Sequence, residues 1–225
     1  MIIVTGASRG LGRAVAERLI ESGQEVLGLS RETEDLSFES MACNVSDYET
    51  VKSVAQKLKQ EKKELTGLVN AAGIASMNLA VTTPPSMTQK LIQTNLVGTI
   101  HCCQLFAPLL IRKKTGSIIN FSTIAVALGL KGESIYAASK AGVEGFSRAF
   151  AREMADFNIR VNCVAPGPIK TDLLQGVSDE QIDAIVSQQI VSKLFQPGDV
   201  CDLCEFLLSP KSSSLSGQIL NIGGV

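Results

Sequence analysis

The chain has one histidine in 225 residues and a net charge of only −1, and its apolar runs fall short of the roughly 18 residues that a membrane-spanning helix needs. A single histidine, His101, cannot build a metal site with partners of its own kind. It lies in a helical run beyond Asn95, where a packed or partly exposed role is expected. With a pI near 5.9, the chain offers no general electrostatic attraction to nucleic acid or to anionic membranes, so neither is an expected partner. The first residues already read as a strand, which leaves no room for a signal peptide, and a cytoplasmic protein is expected. There is no internal repeat or low-complexity segment, although Lys211–Gly217 reads as a polar loop.

Six cysteines are present: Cys43, Cys102, Cys103, Cys163, Cys201 and Cys204. Most lie within apolar stretches, where cysteine acts as a small buried hydrophobe, and reduced thiols are expected. Cys201 and Cys204 have the spacing of half a zinc site, but the surrounding pattern is helical and no second Cys or His pair completes it. No metal is expected.

Hydrophobic residues make up 45% of the chain and the mean hydropathy is +0.21, enough for one full core and one domain over residues 1–225. Strand-like runs recur at Met1–Thr5, Glu25–Leu29, Ser40–Cys43, Gly67–Asn70, Gly116–Phe121, Ile159–Val164 and Gln218–Ile222. Helical patterns separate most of them, with long helices expected near Asp47–Lys62, Ser86–Arg112 and Ser134–Phe157. This alternation predicts an α/β fold: a doubly wound, Rossmann-type domain with a mostly or wholly parallel seven-stranded sheet flanked by helices. Only about ten residues, Arg31 through Ser40, join the second and third strands, fewer than a crossover helix requires, so one side of the sheet is expected to be exposed there.

Two local patterns carry chemistry. The first strand runs into Thr5-Gly6-Ala7-Ser8-Arg9-Gly10-Leu11-Gly12 and then into a helical pattern with Val15, Ala16, Leu19 and Ile20. Glycines let the backbone approach a ligand, and the helix start offers free N–H groups and a positive dipole end suited to a pyrophosphate. An ordinary glycine-rich turn is the alternative. Tyr136 and Lys140, four residues apart, share one helix face. An ammonium near a phenol favours the phenolate, so the Tyr136 pKa is expected to fall toward a range useful for exchanging a proton with an alcohol or ketone oxygen. Taken alone, that pair is weak and reads more readily as a solvated surface face.

Together these segments resemble the short-chain dehydrogenase/reductases. The motifs Thr5–Gly12, Asn70-Ala71-Ala72-Gly73, Tyr136–Lys140 and Pro166–Thr171 occur in the family's order across nearly the whole chain. Within the family the chain is most similar to 3-oxoacyl-acyl-carrier-protein reductases, through Tyr136–Gly142 and Ile159–Gly167. The resemblance implies that Tyr136 donates the proton in reduction and that Lys140 contacts the nicotinamide ribose and lowers the tyrosine pKa. It also implies that Asn95 orders a helix and a proton-relay water. A substrate-polarising hydroxyl belongs thirteen residues before the tyrosine, where Thr123 stands in place of the family's serine, with Ser122 held in reserve. Cofactor contacts are implied at Gly6, Ser8, Arg9, Gly10, Leu11 and Gly12 in the glycine turn. They continue at Asn44 and Val45 beside the adenine, at Asn70, Ala71 and Gly73 along the ribose, and at Pro166, Gly167, Ile169 and Thr171 near the carboxamide and phosphates.

The second strand ends Ser30-Arg31, where NAD-dependent enzymes usually place an acid. Arg31, with Arg9, suits a 2′-phosphate through charge-assisted hydrogen bonds, so NADP(H) is the expected cofactor, with Glu32 as the acid of the alternative reading. The chain departs from the family at Ala71, where a second asparagine is usual, and at Gly223, where aspartate or asparagine is usual. Its end at Val225 is expected to leave little tail to reach a neighbouring subunit. Substrate choice is expected to reside in residues 168–194. There Leu173, Leu174, Ile182, Ile185 and Val186 read as lid packing or an acyl-chain wall. The reaction expected is reduction of a small-molecule or acyl-carrier-bound ketone, by a homotetramer or homodimer built on the Ser86–Arg112 and Ser134–Phe157 helices. A sugar or polyol dehydrogenase and a non-catalytic NADP-binding regulator are the rivals.

Overall fold

The apolar runs become seven parallel strands of one sheet: β1 (Ile2–Thr5), β2 (Val26–Ser30), β3 (Ser40–Ala42), β4 (Gly67–Asn70), β5 (Gly116–Phe121), β6 (Ile159–Pro166) and β7 (Ile219–Ile222), in the order β3-β2-β1-β4-β5-β6-β7. The computed structural model describes residues 1–169 and 178–225. Strands β1, β2 and β4 are buried along their whole length, because a parallel sheet carries helices on both faces and needs apolar residues on each. Successive side chains of β1 accordingly go to opposite cores. Ile3 joins Leu27, Leu29, Val54, Leu58, Phe106 and Phe150 on one face, while Ile2 and Val4 join Val15, Leu19, Val200 and Leu207 on the other.

The helices are α1 (Gly10–Glu21), α2 (Tyr48–Gln60), α3 (Pro85–Leu91), α4 (Gly98–Ile111), α5 (Ala125–Leu128), α6 (Ser134–Ala155), α7 (Asp179–Val186) and α8 (Pro197–Leu208). The expected single helix over Ser86–Arg112 is instead interrupted by a π-helical segment, Ile92–Val97, between α3 and α4. Such widened turns redirect side chains and recur at functional sites. This one carries Asn95. A second correction concerns length and hydropathy, since Pro85–Ile111 together form a helical stretch long and apolar enough to cross a membrane. Half of its most apolar window is buried, with Cys102, Cys103, Phe106 and Leu110 packed into the core beneath β4 and β5.

The short link from β2 to β3 does not leave the sheet bare. Phe38 lies over Gly28, so close that a Cβ added there would sit 2.6 Å from the ring, and over Ala7 it joins the α1 core. One aromatic ring thus does the covering of a helix, and Gly28 makes room for it. The expectation of an exposed face is therefore corrected. Removing this half-buried ring uncovers β2, so Phe38→Ala should cost about 2 kcal/mol in urea unfolding, less than a fully buried phenylalanine. An unchanged midpoint would show that Phe38 covers nothing.

Candidate active site

The strand order reverses between β1 and β4, the place where open parallel sheets form a ligand crevice beyond the strand C-termini. A cleft of about 870 Å³ opens there. Its β2–β3 end is lined by Ser8, Arg9, Leu11, Ser30, Arg31, Asn44 and Val45, and its β5–β6 end by Thr123, Tyr136, Lys140, Pro166, Gly167 and Ile169. Gly6, Gly10, Gly12, Ala71 and Gly73 line the middle.

The glycine turn is built for close approach. Gly6 has φ +71°, and a Cβ on Gly12 would lie 2.3 Å from the Gly6 carbonyl oxygen, so any side chain there would force α1 off β1. No side chain caps α1 at Arg9, which leaves its first N–H groups turned to the cleft. These features fit a dinucleotide pyrophosphate. At the strand end the Ser30 hydroxyl donates to the Glu32 carbonyl, while the Arg31 side chain is exposed and Glu32 does not line the cleft.

At the opposite end α6 presents Tyr136, Ser139 and Lys140. Tyr136 and Thr123 line the same end of the cleft, and the Thr123 hydroxyl accepts from the Ala125 N–H at 3.2 Å. Ser122 points the other way and donates to the buried carboxylate of Glu144 at 2.7 Å. Lys140 is buried, and its Nζ donates to the Phe121 carbonyl at 2.8 Å. Asn95 is fully buried: its Oδ1 accepts from the Ile74 N–H at 2.8 Å, and its Nδ2 donates to the Ile74 carbonyl at 2.9 Å and the Ser139 hydroxyl at 3.0 Å. Ser139 in turn donates to the Tyr136 carbonyl at 2.7 Å. Asn95 therefore ties the loop after β4 to the helix that carries Tyr136. A Cβ on Gly73 would stand 3.3 Å from Asn95 Oδ1 and 3.4 Å from Lys140 Nζ, so this glycine leaves room for both, with Lys140 lining the cleft and Asn95 buried behind it.

The electrostatics reverse one expectation. Burial, with the nearby Glu133 charge, pushes the Tyr136 phenol well above its ordinary value, and the neighbouring Thr123 hydroxyl offsets this only in part. Burial also lowers Lys140 to about 8. The lysine is engaged with a backbone carbonyl, and its charge is not among the causes of the phenol's shift. A neutral phenol is the form that donates a proton.

Asn70 also departs from expectation. Its side chain is buried away from the cleft and donates to Asn120 Oδ1 at 2.8 Å, its register partner on β5. Asn120 then donates to Ser147 on α6 at 2.7 Å, so this amide ladder fastens the helix to the sheet. Thr171, Leu173 and Leu174 lie outside the described residues. Of the other residues expected to wall the substrate, Ile185 lines the cleft and Ile182 and Val186 do not. His101 has a structural place, with Nδ1 against the Val45 carbonyl at 3.1 Å and its ring edge-on to Tyr48.

The family described as enoyl-(acyl carrier protein) reductase matches residues 6–224. The 3-oxoacyl-[acyl-carrier-protein] reductase of Vibrio cholerae is 34% identical over 231 residues, covering 99% of this chain and 95% of that one. The chain belongs to the short-chain dehydrogenase/reductase family. The corresponding reductase of Staphylococcus aureus strain Mu50 is 35% identical over 235 residues, with coverage of 99% and 96%. Among solved short-chain dehydrogenase/reductase structures, ElxO with NADP bound superposes with a TM-score of 0.90 at 30% identity, covering 98% of this chain and 96% of that one. The ligand-free aldohexose dehydrogenase of Thermoplasma acidophilum gives 0.89 at 29% identity, covering 99% and 92%.

Several cleft residues escaped the sequence reading: Lys90, Thr94, Leu130, Glu133 and Gln181. Glu133 alone had a signal, since it stands one helical turn before Tyr136. Gly223 also finds a reason in space: the buried Gln189 amide lies between Gly167 and Gly223, where a Cβ at either would come within 2.0 to 2.2 Å of its oxygen. Asn95→Ala should strand the Ile74 N–H and carbonyl and cost about 2–4 kcal/mol in urea unfolding, with faster amide exchange around Ile74. An unchanged midpoint would remove Asn95 as the tie between loop and helix.

Proposed function

We propose that the protein is an NADPH-dependent reductase that converts a 3-oxoacyl thioester or a similar ketone to the secondary alcohol. The observation that carries this reading is a single cleft lined by Tyr136, Thr123 and buried Lys140 at one end and by Arg9 and Arg31 at the other. Two hydroxyls that line the same end of the cleft can serve a single substrate oxygen. They suit a carbonyl better than a carbon–carbon double bond. The likeness to 3-oxoacyl-[acyl-carrier-protein] reductases over nearly the full length supports the substrate class, and the NADP-bound ElxO supports the cofactor.

Gly6, Gly12 and the α1 N-terminus would hold the pyrophosphate, Arg9 and Arg31 the 2′-phosphate, and Gly73, Lys140 and Ile169 the nicotinamide half. When bound, NADPH supplies the hydride. Thr123 orients the carbonyl oxygen by a hydrogen bond, and Tyr136, kept protonated by burial, passes its proton to that oxygen as negative charge develops. The Lys140 ammonium, on the same helix face, offsets the charge left on the phenol. Asn95 is the positioning residue that fixes the helix start through Ser139. The six free cysteines fit a reducing cytoplasm. A dimer or tetramer through the Ser86–Arg112 and Ser134–Phe157 helices belongs to the same proposal, and light scattering should give a multiple of 23.9 kDa, whereas a monomer mass would count against it. The rival with most support is a sugar dehydrogenase, through the likeness to aldohexose dehydrogenase.

Tyr136→Phe should lower kcat for acetoacetyl thioester reduction by about a thousandfold while NADPH still binds, since only the proton donor is lost. Wild-type kcat/KM should be level below pH 8 and fall above it, because Lys140 loses its proton as pH rises through about 8. Full activity in the variant would overturn the proton-donor assignment. NADPH binding without turnover of thioester, sugar or small ketone would favour a non-catalytic regulator.

A further inference from the structure

Glu133 lies at the N-cap of α6, and its side chain caps nothing. It is half-buried and lines the cleft near Thr123, Leu130, Tyr136 and Ile185. Among the described residues its carboxylate has neither a hydrogen-bond donor nor a cation: Lys140 is engaged with Phe121, and Lys90, also at the cleft, makes no ion pair with it. The charge is felt at the reaction centre, since Glu133 raises the Tyr136 phenol. A negative group left unpaired in a part-desolvated pocket repels another negative group far more than it would in water.

We propose that Glu133 is the charge filter of the substrate site, which rejects ketones carrying a carboxylate two bonds from the reacting carbon and admits neutral esters and thioesters. This rests on the ketone-reductase reading and narrows it. A free 3-oxo acid would place its carboxylate two bonds from the ketone, in the field of Glu133. The thioester of the same acid is neutral there, and the anionic phosphate of a carrier arm lies many bonds away. The filter therefore separates an activated acyl group from its hydrolysed form, which a purely apolar wall would not do.

The test compares NADPH-dependent kcat/KM for the neutral N-acetylcysteamine thioester of acetoacetate with that for acetoacetate itself, in wild type and in Glu133→Gln. The glutamine keeps the shape and removes the charge. The thioester-to-acid ratio should fall at least about tenfold in the variant through a relative gain on acetoacetate, a ratio from which any effect of the lost charge on Tyr136, common to both substrates, cancels. Turnover of the thioester with an unchanged ratio, or an equal loss on both substrates, would overturn the filter and leave the reductase reading standing. If wild type binds NADPH but reduces neither substrate, the reductase reading falls and the filter with it.

Discussion

One buried carboxamide holds the site together. Asn95 satisfies both backbone groups of Ile74 and also reaches Ser139, so the loop after β4 and the start of α6 cannot move apart without leaving polar groups unpaired in the interior. Such a loss costs about 1–3 kcal/mol for each neutral group, a large share of a domain's net stability. The π-helical turn is what aims Asn95 inward. Deeper in the sheet, Asn70, Asn120 and Ser147 repeat the device and fasten α6 again, so the helix bearing Tyr136 and Lys140 is fixed at two depths. Rigid placement of this kind is what proton transfer to a bound oxygen requires.

The rest of the cleft follows from that fixed helix and from the sheet's point of reversal. Gly6 and Gly12 bring β1 and α1 close enough for exposed N–H groups to line its middle, and Gly73 leaves room beside Lys140 and Asn95. Burial then sets the chemistry. It keeps the phenol in its protonated form at neutral pH and pushes the ammonium down to about 8. The unpaired charge of Glu133 acts on the same phenol from the helix N-cap.

The parallel sheet was legible from its apolar runs, and β4 and β5 fall on the ranges read from sequence, because strands covered on both faces leave an unbroken hydrophobic record. The glycine turn and the Tyr136–Lys140 pair were legible because they stand in order with the other family motifs, whereas each alone had an ordinary structural alternative. Three features were not. A π-helical turn leaves no break in the composition of 92–97. Phe38 replaces a helix through a contact with Gly28 that local pattern does not reveal. The Tyr136 shift depends on how deeply the phenol and lysine are buried, a tertiary quantity. Asn70 was misplaced for a similar reason: its motif names the residue, but the pleat decides that its side chain turns to Asn120 and away from the cleft.

The account stands or falls on hydride delivery to a ketone carbon within this cleft. The most direct measurement incubates the protein with acetoacetyl thioester and NADPH deuterated at the transferable C4 position, and reads the product by mass spectrometry. A 3-hydroxyacyl thioester carrying deuterium on its carbinol carbon is the predicted result. The absence of any labelled alcohol, from protein shown to bind the cofactor, would contradict the account.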